Sequence, residues 1–185
     1  VEATGISFTL TERGGESVAV ECPLTGSFNI DNALAAAGAA RAFGLSIGQI
    51  AQGLSSMTPV PGRFERLDAG QPFQVIVDYA HTPDALAQVL RTARQQTAGR
   101  LVTVFGCGGD RDRSKRPMMG EAVAEFSDLA VLTSDNPRNE DPEQIAADVI
   151  PGLARAGMKP SRYTVILDRA LAIEHALHIA SPGDL

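Results

Sequence analysis

The chain has 185 residues, 44% of them apolar, and a formal net charge of −6. That length allows one domain or one and a fraction around a packed core. The acidic balance argues against nucleic acid or an anionic membrane surface as the main partner, and no apolar run approaches the ~18 residues of a membrane span.

Residues 5–11 and 17–22 flank Arg13-Gly14-Gly15-Glu16 and read as a β-hairpin. A polar stretch from Thr25 to Asn32 then precedes an alanine-rich helix over 33–43, stopped by Gly44. Ser46 caps a second helix, with Ile47, Ile50, Ala51 and Leu54 at i, i+3, i+4 and i+7. Thr58-Pro59-Val60-Pro61-Gly62 breaks this rhythm and reads as a domain boundary, dividing the chain into 1–60 and 62–185.

Beyond the boundary the pattern is strand–helix, four times over. Strand 73–78 leads to a helix capped by Thr82 with Pro83 at its first position and Leu86, Val89, Leu90 and Ala93 as its apolar stripe. Strand 101–105 leads to a helix over about 115–126. Strand 129–133 leads to a helix opened by Asp141-Pro142, and strand 162–167 to one opened by Asp168. Gly183-Asp184-Leu185 would begin a further strand. The expectation is an α/β fold: a Rossmann-like, mostly parallel sheet with helices on both faces, preceded by the hairpin and two helices. The chain starts at Val1 and stops at Leu185, and both ends read as cuts through a longer protein.

Ligands of open α/β sheets bind beyond the carboxyl ends of the strands. Three polar loops follow strands 73–78, 101–105 and 129–133, so they are expected along one rim: 78–83, 106–113 and 133–138. In the last, Asp135 and Asn136 suit an ammonium group, and Arg138 suits a carboxylate through its forked donors, with Pro137 stiffening the turn. Arg111 suits a carboxylate too, or is a surface arginine paired with Asp110 or Asp112. The glycines at 106, 108 and 109 could admit an anion to the backbone. However, Arg111 stands where a dinucleotide fingerprint needs glycine, and no acidic residue follows at the required distance, which disfavours NAD.

Asp78 can accept hydrogen bonds from ribose hydroxyls or serve as a turn carboxylate. His81 is a loop residue or a base, and Arg63 a surface or hinge arginine. The run of basic residues over 111–116 reads either as a local exception to the acidic balance, a patch suited to an anionic partner, or as a solvated helix start. His175 and His178 have no third ligand, so no metal site is indicated. Cys22 and Cys107 stand in unlike contexts without metal spacing, which suits a reducing compartment. Cys107 reads as a small buried residue, and Met118 and Met119 as packing. No G-x-x-x-x-G-K-[ST] phosphate loop occurs.

Five segments, in order, carry a resemblance: Gly26-Ser27-Phe28-Asn29-Ile30-Asp31-Asn32, Pro61-Gly62-Arg63-Phe64-Glu65, Asp78-Tyr79-Ala80-His81, Gly108-Gly109-Asp110-Arg111-Asp112 with Lys115-Arg116, and Asp135-Asn136-Pro137-Arg138. Together they resemble the Mur ligases, the ATP-dependent amide-bond formers of peptidoglycan assembly, and within them the branch that adds 2,6-diaminopimelate. The resemblance implies that residues 1–60 are the end of a central ATPase domain and 62–185 most of a C-terminal, amino-acid-binding domain. It implies that Asn32, Arg63 and Asp78 help hold the nucleotide, and that Arg111, Asp135, Asn136, Pro137 and Arg138 contact meso-diaminopimelate. It names no catalytic residue; His81 is the one candidate for the base that relieves the incoming amine of its proton.

The implied cofactors are ATP and Mg²⁺, both held mainly by parts of a parent protein outside this chain. The implied partners are small molecules: the UDP-N-acetylmuramoyl-dipeptide, meso-diaminopimelate and ATP. A bacterial cytoplasmic monomer is expected, and the isolated chain is expected to be inactive. The rivals are a lysine-adding or glutamate-adding relative, disfavoured by Arg138, and a non-catalytic amino-acid-binding module.

Overall fold

In the computed structural model, which describes residues 5–185, the chain opens with an antiparallel hairpin. Its strands are β1 (Ile6–Thr11) and β2 (Ser17–Cys22), in a register that sets Ile6 opposite Cys22 and Thr11 opposite Ser17. Alternation puts Ile6, Leu10, Val20 and Cys22 on the buried face. Two helices complete that core, α1 (Phe28–Ala42) and α2 (Ile47–Ser55).

Helix α2 begins as the sequence predicts. The Ser46 hydroxyl accepts from the Gln49 amide, and the Gln49 side chain accepts from the Ser46 amide, a reciprocal capping box. Ile47, Ile50, Ala51 and Leu54 are all buried. Helix α1 differs from expectation. It starts at Phe28 rather than 33, because Gly26 turns the chain at φ +93° and the Asn29 side chain donates back to the Thr25 carbonyl at 2.7 Å. Asn32 therefore lies within the first turns of the helix and not in a loop before it.

The chain divides into two compact units, one running to Glu65 together with Val77–Tyr79, the other comprising Arg66–Ile76 and Ala80–Leu185. Two short strands, β3 (Glu65–Leu67) and β4 (Val75–Val77), pair with each other.

The second unit holds α3 (Pro83–Gln96), β5 (Val102–Phe105), α4 (Lys115–Phe126), β6 (Leu129–Leu132), α5 (Pro142–Arg155), β7 (Tyr163–Val165) and α6 (Arg169–Ile179), with a short 3-10 turn at Pro160–Arg162. Thr82, Asp141 and Asp168 each accept a backbone N–H at the start of α3, α5 and α6. The strands β5, β6 and β7 form a parallel sheet in that order, with Val102 level with Leu129 and Ala130 level with Tyr163. The expected fourth parallel member, 73–78, instead pairs as β4 with β3.

A further stretch of chain reaches both neighbours. Gly183 donates to the Pro72 carbonyl (3.1 Å), the Gln74 amide donates to Asp184 (2.8 Å), and Leu185 exchanges bonds with Arg100 and Val102 at 2.9 and 2.7 Å. The buried Asp184 carboxylate accepts from the Arg100 amide and side chain at 2.8 and 3.0 Å. Arg100 holds that carboxyl down at about 2, well below its ordinary range.

Helices α4 and α5 cross at glycine. A methyl group on Gly120 would meet the Val149 carbonyl oxygen at 2.6 Å, and one on Gly152 would overlap the Pro117 carbonyl. Met119 is buried here, whereas Met118 is 47% exposed and does not pack as expected. In Gly152→Ala the obstructing atoms are backbone and cannot swing aside, so thermal melts followed by circular dichroism will show a loss of about 1–3 kcal/mol or more. A methyl group on Gly48, in α2, would meet nothing within 4 Å. There, Gly48→Ala will stabilise by up to about 1 kcal/mol in the same assay.

Candidate functional site

Each unit carries a polar cluster. In the first, a hydrogen-bonded chain threads five residues. Asn32 Nδ2 donates to Asn29 Oδ1 (2.9 Å), Asn29 Nδ2 to the Thr25 carbonyl (2.7 Å), and Thr25 Oγ1 to the Phe64 carbonyl (3.5 Å). The Phe64 amide then donates to Asp78 Oδ2 (2.8 Å). Phe64 is buried, holds a left-handed φ of +49°, and meets Phe28 edge-to-face at 5.9 Å. Its neighbour Arg63 lays its guanidinium over the Tyr79 ring, 4.7 Å from the centroid. Asn32, Arg63 and Asp78, far apart in sequence, thus belong to one connected cluster. His81 is exposed.

In the second unit, the turns after β5 and β6 come together as the strand order requires. The Gly109 amide donates to the Asn136 carbonyl at 2.8 Å, and Arg138 Nη1 donates to the Gly109 carbonyl at 2.7 Å. Only glycine fits at 109, because a Cβ would strike the Pro137 carbonyl. Asp110 sits at φ +52°, and its carboxylate accepts from Asn139 Nδ2 at 2.8 Å. Arg138 holds the same φ of +52°. Arg111, Asp135, Asn136 and Arg138 are all exposed. Arg111 pairs with neither Asp110 nor Asp112 through its side chain. Its one hydrogen bond among the described residues is a 3.5 Å contact to the Asp110 carbonyl, while Asp112 caps Ser114. Arg169, at the start of α6, lies 3.9 Å from Asp135.

The third loop, at 78–83, is split between the two units at Tyr79. The turns after β5 and β6 are therefore the pair that the second unit's sheet brings together.

Sequence reasoning passed over the group that joins these two turns. Glu140 accepts from Arg116 with both oxygens, at 3.0 and 2.7 Å, from the Asp110 amide at 2.6 Å, and pairs with Arg113 at 2.7 Å. Arg116 is 2% exposed, and it also donates to Asp148 on α5 at 2.9 Å. It is thus no part of a solvated helix start. These cations and the Asp110 amide hold the Glu140 carboxyl down at about 2. The sequence signal was faint: an acid two residues past Arg138 and a basic residue in the first turn of α4. Cys107 is half-buried, and burial pushes its thiol up to about 11, so at neutral pH it is a protonated, poor nucleophile.

The parallel sheet and its interlocked glycine-rich and Asp-Asn-Pro-Arg turns lie within residues 62–185, which match the family described as Mur ligase, glutamate ligase domain. The chain belongs to that family. A UDP-N-acetylmuramoyl-L-alanyl-D-glutamate–2,6-diaminopimelate ligase of Syntrophomonas wolfei is 52% identical over the whole of this chain, which spans 37% of that relative's length. A solved structure of a ligase with the same name is 43% identical, with a TM-score of 0.61 over 98% of this chain and 36% of that one. A pseudomurein peptide ligase type C from Methanothermus fervidus, at 23% identity, shares the fold with a TM-score of 0.72 over all of this chain and 36% of its own. Among the described residues, no helix is long and apolar enough to cross a membrane.

The Glu140 carboxyl is depressed from 4.5 to about 2, so its contribution to stability is fully present above about pH 4.5. It is lost as the pH falls from there towards 2. Denaturant melts of wild type and Glu140→Gln will differ most at neutral pH, and the gap will close across that acid window.

Proposed function

We propose that this chain is part of an ATP-dependent ligase that adds meso-diaminopimelate to UDP-N-acetylmuramoyl-L-alanyl-D-glutamate. Residues 1–60 are read as the end of its nucleotide-binding domain and 62–185 as most of its amino-acid-binding domain. The observation that carries the reading is the interlocked pair of turns, which presents two exposed guanidinium groups, Arg111 and Arg138, beside an exposed carboxylate and carboxamide, Asp135 and Asn136. That set suits a ligand with carboxylate and ammonium together. The names of the relatives favour diaminopimelate over lysine.

On this reading the glutamate side-chain carboxylate of the UDP-linked dipeptide is activated as an acyl phosphate at the expense of ATP. The amine of diaminopimelate attacks it and phosphate leaves. Arg138 and Arg111 bind carboxylate, Asp135 and Asn136 bind ammonium, and Pro137 keeps their turn stiff. The chain's contribution is orientation more than proton transfer. Asn32, Arg63 and Asp78 are assigned to the nucleotide, and their shared hydrogen-bonded and stacked cluster supports treating them as one group. The described residues include no group of three or more carboxylate, histidine or cysteine side chains able to hold Mg²⁺, which the reading assigns to the rest of the parent.

Arg138 also argues the specificity. Lysine lacks the second carboxylate, and a charge-assisted hydrogen bond to it is worth about 1.5–3 kcal/mol. Phosphate release by the full-length parent, supplied with ATP, Mg²⁺ and the UDP-linked dipeptide, will be supported by meso-diaminopimelate and not by L-lysine. Arg138→Ala will raise the KM for diaminopimelate about tenfold to a hundredfold. Equal use of lysine by the wild type would sink the specificity argument, and no turnover with either would favour a binding module.

A further inference from the structure

We propose that Glu140 and Arg116 are positioning residues for the amino-acid site: their ion pair locks the turn after β5 to the turn after β6 and so sets the spacing of Arg111 and Arg138. The inference deepens the proposed function and rests on it.

Neither residue is placed to hold a ligand. Arg116 is 2% exposed, and the Glu140 side chain 10%. Their bonds run instead to four separate stretches of the unit. Glu140 leaves the turn after β6 and takes the Asp110 amide in the turn after β5. Arg116 leaves α4 and takes Glu140 with two nitrogens, Asp148 on α5 with a third bond, and the Gly108 carbonyl with a longer fourth at 3.5 Å. Its Nε is buried and has no partner among the described residues. A buried arginine with both terminal nitrogens tied to other parts of the unit is a joint, not a surface charge.

The backbone on either side of the joint is strained. Asp110 and Arg138 both hold left-handed φ angles. Aspartate tolerates that region, whereas arginine has no local reason to enter it. Such conformations persist only where the surroundings over-determine them. Here the Glu140 carboxylate fixes the Asp110 amide and sits two residues beyond Arg138, while Arg138 itself is tied to the Gly109 carbonyl. Burying a guanidinium is a poor route to stability when an apolar side chain would pack as well. It is a good route to one arrangement of two turns. With the clasp loosened, Arg111 and Arg138 no longer face a carboxylate at a fixed spacing, and the entropy of re-ordering them falls on binding.

The test uses the full-length parent and two variants, Glu140→Gln and Arg116→Lys, each checked for a cooperative melt. Having two guards against the buried arginine variant failing to fold. Amide hydrogen exchange at Gly109 and Asp110 is expected to quicken at least about tenfold. The KM for whichever amino acid the wild type uses, meso-diaminopimelate or L-lysine, is expected to rise about tenfold, with the KM for ATP within about twofold. In an Arg138→Ala background, Glu140→Gln should add less than about twofold to that KM, since the clasp acts through Arg138. Unchanged exchange at the two amides, a KM rise shared equally with ATP, or fully additive effects would overturn the proposal. If the wild type turns over neither amino acid, the functional reading fails, and the exchange rates alone still decide whether the clasp sets the turns.

Discussion

One carboxylate, Glu140, holds together the part of the molecule where its polar turns converge. Both of its oxygens are shared between a buried guanidinium and other donors, and none of those donors is a neighbour in sequence. Parallel strands bring their carboxyl-end turns side by side but say little about how those turns are shaped. The shape comes from the ion pair beneath them, from the glycine at 109 that lets the Pro137 carbonyl approach, and from Arg138 reaching back to the Gly109 carbonyl. A tolerant sheet supports an exacting pair of turns.

The helices behind that pair serve the same end. Arg116 reaches Asp148 across the contact of α4 with α5, where Gly120 lets the Val149 carbonyl approach and Gly152 lets the Pro117 carbonyl approach. Helix packing and loop geometry are thus one problem. A residue that pushed α5 away would not merely loosen a core; it would pull one anchor from the arginine that organises the turns.

What could be read from the sequence was what is decided locally. Ser46, Thr82, Asp141 and Asp168 cap the helices they were expected to cap, because a capping side chain and its target amide lie two or three residues apart. The hairpin followed from alternation and two glycines. The start of α1 was missed because Ser27 makes no cap bond, and an asparagine two residues further on does the anchoring. The partner of strand 73–78 was missed because pairing depends on contacts across the fold. Among the candidate site residues, the motifs pointed to the exposed groups, Arg111 and Asp135 to Arg138. They did not point to Glu140, and they included Arg116 without a role, because the meaning of each lies in the other across a separation of 24 residues.

The stitch made by residues 183–185 has a consequence in time. Gln74 finds its hydrogen-bond acceptor at Asp184, and Arg100 finds its counter-ion there too. Contacts between such distant parts of a chain close late, because a long loop must be gathered before they repay its entropy. On a ribosome, the stretch around residue 74 emerges well before its partner has been synthesised. The early strand must wait with its edge open, and a chain released or cleaved short of residue 184 would leave that edge permanently available to other molecules.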